Sequence, residues 1–89
     1  MRIEKVEIFS DATNMAIMRH PGRRFPGMLI QGDTLYTLFR EADKACQMVR
    51  RGSPGFDEIE ELRDVLSDFI NHYKKTLAEH SIELPFSED

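Results

Sequence analysis

Two Pro-Gly dipeptides, Pro21-Gly22 and Pro26-Gly27, lie close together in the first third of the chain. Proline restricts φ to about −65° and glycine accepts positive φ, so each dipeptide favours a turn. Neither dipeptide fits inside a helix. The first third of the chain is therefore expected to form short strands connected by turns.

Four candidate ligand-binding residues surround these turns: Arg19, His20, Arg23 and Arg24. Guanidinium groups bind phosphate and carboxylate through paired N–H donors, and a protonated histidine adds another donor. Two interpretations stay open. The arginines bind a small anion, or they pair with acidic residues of the second predicted helix. Phe25 is expected to anchor this loop on the core.

Alternating apolar residues predict three short strands. They are expected over residues 3–9, 15–19 and 27–31. Ile3 is out of phase with Val6, so the first strand is expected to begin late or to carry a bulge. The connections between strands are short, which favours antiparallel neighbours.

The apolar spacing changes to steps of three and four residues in the second third of the chain, which predicts an amphipathic helix. Asp33 is a favoured residue for its N-terminal cap. Arg50 and Arg51 are expected in its last turn, where they would complement the helix dipole, and Gly52 just past its end.

A second amphipathic helix is predicted for the next 20–25 residues or so. Its start is expected either at Ser53, with a proline at the first helical position, or at Asp57. Residues 82–89 are expected to form an extended, partly disordered tail whose Leu84 and Phe86 could dock on the rest of the protein.

These elements indicate an α+β fold, in which a small three-stranded antiparallel sheet precedes an antiparallel helical hairpin packed on one face of the sheet. The 89 residues are expected to form a single domain, residues 1–89. So small a domain has a small core, which makes pairing with a second copy an attractive source of stability.

The net charge of −4 is unevenly distributed, with +3 in residues 1–52 and −7 in residues 53–89. The overall negative charge argues against general nucleic-acid binding.

No apolar run is long enough to span a membrane or to act as a signal peptide. Cys46 is the only cysteine, so no internal disulfide is possible. A cytoplasmic location is the simplest expectation.

The sequence contains few residues in patterns typical of catalysis or metal binding. The three histidines lack metal-ligand spacing, and we expect neither a metal nor a cofactor. Cys46 lies on the apolar side of the first predicted helix and is interpreted as a core residue. Asp11 and His20 could form an acid–base pair if the hairpin aligns them, although ordinary turn chemistry explains Asp11 better.

Three stretches, residues 10–14, 19–27 and 29–35, together resemble a family of small bacterial proteins characterised only as a domain of unknown function. The second stretch is the loop Arg-His-Pro-Gly-Arg-Arg-Phe-Pro-Gly. The resemblance covers about residues 4–50. It implies a free-standing bacterial protein and supplies no activity, cofactor or site residue.

Three functional hypotheses follow. The leading one is a non-enzymatic, homodimeric protein-interaction domain of a small bacterial cytoplasmic protein, which binds through its basic loop or its acidic second helix. The alternative is a module that binds a small anion, phosphate or carboxylate, through the basic Pro-Gly loop. An enzyme that uses Asp11 and His20 is the least favoured.

Overall fold

The computed structural model describes residues 1–88, so Asp89, the last residue of the expected tail, lies outside the described part. Its elements are β1 (Glu7–Ser10), β2 (Met15–Arg19), β3 (Gly27–Ile30), α1 (Gly32–Met48) and α2 (Phe56–Glu79). The chain forms two compact units, a sheet unit over Met1–Gln31 and a helical unit that begins at Gly32. The predicted α+β class and element order are confirmed. Packing of the hairpin on one face of the sheet stays a prediction.

The sheet unit is a three-stranded antiparallel sheet in the order β1-β2-β3, as expected from its short connections. β1 begins at Glu7 instead of residue 3, and its register with β2 shifts between Ile8 and Ser10. The predicted late start is thus confirmed, and the register shift lies between Ile8 and Ser10 instead of between Ile3 and Val6, where the alternative of a bulge was expected. A bulge adds local twist and lets two residues of one strand oppose one residue of its neighbour.

The strand register gives the sheet two apolar faces, because directly paired residues of neighbouring strands share a face. We name each face by the β2 methionine that it contains. The Met15 face contains Met15, Ile17, Met28 and Ile30, and the Met18 face contains Ile8, Ala16, Met18 and Leu29. An antiparallel sheet with one solvated face normally alternates apolar and polar residues. This sheet lacks that alternation in β2 and β3.

The first helix ends earlier than its sequence predicts. α1 stops at Met48, so Arg50 and Arg51 lie beyond it and do not form its last turn. The amide of Ser53 donates a hydrogen bond to the Arg50 carbonyl at 3.0 Å, and Gly52 has a φ of 87° inside this turn. The positive φ of Gly52 therefore closes a tight turn between the helices instead of capping α1.

The second helix begins at Phe56, within one residue of the Asp57 alternative, and the start at Ser53 is wrong. The amide of Phe56 donates to the Ser53 carbonyl at 3.2 Å across a turn that contains Pro54 and Gly55. Gly55 has a φ of 86°, as position three of a type II turn requires. Proline thus belongs to a turn here, and the helix starts after it.

A Schellman motif ends α2. The amide of Ser81 donates to Ala78 at 3.2 Å and that of Ile82 donates to Leu77 at 2.9 Å, with Ser81 at a φ of 56°. The chain then turns back, and the ring of Phe86 stacks on Tyr36 of α1 at 4.1 Å between centroids.

The helical unit contains the buried apolar residues of the described chain, which are Ala42, Phe56 and Ile70. Arg63 of α2 donates a hydrogen bond to Asp43 of α1 at 3.2 Å and so connects the two helices. Gly32 lets the helices approach closely, since a Cβ at this position would lie 2.3 Å from the Tyr73 ring. Cys46 is half-buried in this unit.

Candidate functional site

The candidate site is built on the Pro-Gly loop, defined here as residues 20–26 between β2 and β3. The amide of Arg23 donates to the His20 carbonyl at 3.1 Å. Pro21 and the following Gly22, whose φ is 82°, occupy the two central positions of this turn, as in a type II turn. The second dipeptide behaves differently, because Gly27 has no positive φ and is the first residue of β3.

Arg19 supports the loop from the end of β2. Its guanidinium donates to both carboxylate oxygens of Glu7, at 3.3 and 2.6 Å, and its third nitrogen donates to the Arg24 carbonyl at 3.1 Å. The hydrogen bond from Arg19 lowers the pKa of the Glu7 carboxyl below its ordinary range. The Arg19 guanidinium also lies 5.6 Å from the centre of the Phe9 ring. Each of its three guanidinium nitrogens thus donates one hydrogen bond to the protein itself.

The side chains of the other three candidate residues make fewer hydrogen bonds to the described part of the protein than Arg19 does. His20 Nδ1–H donates to the Pro21 carbonyl at 2.9 Å, which directs its Nε2 away from that bond. The Arg24 guanidinium lies 5.2 Å from the centre of the Phe25 ring. Within residues 1–88, the side chain of Arg23 makes no hydrogen bond or ion pair.

Phe25 does not anchor the loop on a core, since 71% of its surface is exposed. The turn at Pro21-Gly22 brings the chain back toward β3, and the phenyl ring remains at the surface against Arg24. The prediction for this residue is therefore wrong, and the ring is available to form the wall of a groove.

A groove of about 360 Å³ lies beside the loop on the Met18 face of the sheet, and we call it the loop groove. Its apolar lining residues are Val6, Met18, Phe25, Met28 and Leu29, and its polar ones are His20 and Arg23. Gly27 pairs directly with Met18, and a Cβ on Gly27 would meet nothing within 4 Å. The missing side chain of Gly27 thus leaves this space open.

The apolar lining of the groove was missed by the sequence analysis. Val6 and Ile8 alternate in phase, and Met18 and His20 do the same, so their shared face was readable within each strand. The register that places Gly27 opposite Met18 was not readable, because it depends on the length of the loop between β2 and β3.

The structure separates the two residues of the hypothetical acid–base pair. Asp11 follows β1 in the turn before β2, and His20 follows β2 at its other end. A five-residue strand spans about 17 Å, far beyond hydrogen-bond reach.

In the described residues, no group of three or more His, Cys, Asp or Glu is arranged to hold a metal ion. No described helix combines the length and apolar character needed to cross a membrane.

The fold and loop together define a small α+β protein with an apolar groove beside a cationic turn. The chain belongs to DUF6959, a family of unknown function, whose model matches residues 1–86. The family match thus extends well beyond the residues 4–50 that carried the resemblance. No curated protein and no solved structure matches the chain.

Proposed function

We propose that the protein is a non-enzymatic protein-interaction domain that associates with a second copy of itself through the Met15 face of its sheet. The observation that carries this proposal is the exposure of large apolar side chains on that face. Met28 and Phe9 are each 55% exposed, and the Arg19 contact places the Phe9 ring on the same face. Contiguous exposed apolar surface is typical of protein-binding sites.

The net charge of the sheet unit favours a partner with an acidic rim. The sheet unit holds five Lys or Arg residues against three acidic residues, a net charge of +2. Arg23 and Arg24 of the Pro-Gly loop are exposed. A complementary partner has an apolar centre flanked by carboxylates, because opposite charges at the rim of an interface set its orientation.

Helix α2 of a second copy offers such a surface. Leu62, Val65 and Phe69 follow one another at spacings of three and four residues and are exposed. Carboxylates lie next to this stripe on the same helix, at Glu58, Glu61 and Asp68. The proposed association therefore places an apolar, acid-flanked helix against the apolar face of a sheet unit whose net charge is positive.

Sedimentation equilibrium tests this proposal at concentrations up to about 1 mM, a range that includes weak complexes. We expect the wild-type chain to form dimers. Met28→Glu and Phe69→Glu should each give monomers, because each buries a carboxylate in the proposed interface. Met48→Glu changes an exposed methionine of α1 and is the matched control that should leave the dimer intact. A monomeric wild-type chain, or dimers in both test variants, would contradict the proposal.

A second candidate function is the binding of a small anion at the Pro-Gly loop. The observation that favours it is the guanidinium of Arg23, which has no partner within residues 1–88, whereas Arg19 is occupied by Glu7. Of the four residues nominated from the sequence, this candidate relies on Arg23, with Arg24 and His20 beside it.

A further inference from the structure

We propose that the loop groove binds an amphiphilic monocarboxylate, a molecule with an apolar chain and a single carboxylate head. This inference rests on the second candidate function and names its ligand class. The apolar chain would lie along the Met18 face, and the carboxylate would accept hydrogen bonds from the Arg23 guanidinium.

The lining of the groove selects for an apolar body. Val6, Met18, Phe25 and Leu29 present hydrocarbon or aromatic surface to the space beside the loop. Inorganic phosphate or acetate would leave that surface in contact with water, and an apolar chain would cover it. The volume of about 360 Å³ is at the small end of the range for ligand sites, which favours a short chain.

The polar side of the groove selects for a carboxylate. Arg23 is one of the residues that line the groove, and its guanidinium has no ion pair or hydrogen bond among residues 1–88. A guanidinium binds a carboxylate through two parallel N–H donors. His20 lies at the same side with Nδ1 already bound to Pro21, so its Nε2 is the ring nitrogen left for the ligand.

Gly27 gives the groove a feature that can be altered without touching any charge. It lies in β3 opposite Met18, has no positive φ, and has open space where a Cβ would stand. Valine suits a strand. The substitution Gly27→Val should therefore fill the groove while the sheet keeps its backbone.

The experiment follows backbone amide shifts in ¹H–¹⁵N NMR spectra of the full chain during titration. The probes are octanoate, 1-octanol, acetate and inorganic phosphate. We expect octanoate to shift the amides of Met18, Gly27 and Leu29. Acetate should bind about tenfold more weakly, because it lacks the chain that covers the apolar lining.

Two variants separate the chain contact from the head contact. Gly27→Val should weaken octanoate binding about tenfold because it occupies the space of the chain. Arg23→Gln should weaken octanoate about fivefold and leave octanol unchanged, because only the carboxylate contacts the guanidinium. Met15→Ala lies on the opposite face and is the control that should bind octanoate like the wild type. If Gly27→Val disturbs the fold, the Arg23→Gln comparison of octanoate with octanol still tests the site.

The outcomes distinguish this inference from the anion-binding function on which it rests. If phosphate and acetate shift the amide signals of the loop as strongly as octanoate does, the proposal of an amphiphilic ligand is wrong and the anion site is retained. Octanoate binding that Arg23→Gln leaves unchanged would overturn both. Octanoate shifts outside the groove, or an absence of shifts with every probe, would also overturn both.

Discussion

The helical unit and the sheet unit differ in how far their apolar side chains are buried. The three buried apolar residues of the described chain, Ala42, Phe56 and Ile70, belong to the helical unit. The sheet unit has no buried residue, although it holds nine of the fifteen large apolar side chains that are exposed in the described chain. The physical reason is geometric. Two helices that pack together cover each other's apolar stripes, whereas three short strands paired edge to edge cover neither face of their own sheet.

This contrast assigns the two units different tasks. The helical unit closes its own small core and adds a specific polar connection, in which Arg63 contacts Asp43, and an aromatic stack of Phe86 on Tyr36. The sheet unit presents apolar surface and the cation of Arg23, which has no partner among the described residues. We infer that stability resides mainly in the helices and that binding resides mainly in the sheet.

The largest expected effect tests this inference with one substitution in each unit. Ile70 is 3% exposed and Met28 is 55% exposed. Ile70→Ala should lower the free energy of unfolding by about 2–5 kcal/mol, because it removes buried methyl groups and leaves a cavity. Met28→Ala should change it by about 0.5 kcal/mol.

Urea unfolding followed by circular dichroism at 222 nm measures both values, at concentrations where the protein is monomeric. A loss from Met28→Ala as large as that from Ile70→Ala would show that the Met15 face is covered within a single chain. The contrast between the two units would then be wrong.

A smaller effect is expected where the helices approach most closely. A Cβ on Gly32 would clash with the Tyr73 ring at 2.3 Å, so Gly32→Ala should destabilise the protein by about 1–3 kcal/mol as the ring is displaced. In a Tyr73→Ala background the same change should be neutral or favourable, since alanine is the better helix former. Urea unfolding of the four proteins completes a double-mutant cycle. Equal costs in both backgrounds would mean that the close approach does not constrain residue 32.

β2 and β3 were more predictable than the ends of the helices, whereas β1 begins at Glu7 instead of residue 3. Alternation of apolar residues is a local signal, and β2 has the predicted limits of Met15 and Arg19. The end of α1 was misplaced, and the start of α2 was left open between Ser53 and Asp57, because Gly52 and Gly55 both adopt positive φ in the connection. Glycine marks a helix cap and a tight turn equally well, so the sequence alone does not choose between them.

The residues of the candidate loop were predictable from the sequence, and their arrangement in space was not. The loop does bring His20 and Arg23 to one groove. Arg19 was indistinguishable from its neighbours in the sequence, because its partner Glu7 lies twelve residues earlier and meets it only through the register of β1 with β2. Gly27 carried no signal of its own, since its effect is the side chain that it lacks opposite Met18.

The smallest expected effect concerns the ion pair that holds the loop to the sheet. The hydrogen bond from Arg19 lowers the pKa of Glu7 below its ordinary value of 4.5. The lowered pKa means that this pair stabilises the fold above pH 4.5 and that its contribution is lost as the pH falls through the folded-state pKa. Because both side chains are partly exposed, the contribution is small and screened by salt.

NMR titration of the Glu7 side-chain carboxyl measures this effect directly. Its midpoint should lie below 4.5 in the wild type and rise in Arg19→Gln, where the donor is lost. Glu7→Gln should lower the melting temperature slightly at neutral pH, and this difference should vanish at a pH below the folded-state pKa and shrink in high salt. In the Arg19→Gln background the Glu7→Gln difference should be absent at every pH. A Glu7 midpoint that does not respond to Arg19→Gln would mean that the guanidinium does not hold this carboxylate in solution, and Arg19 would then be free to join Arg23 as a ligand donor.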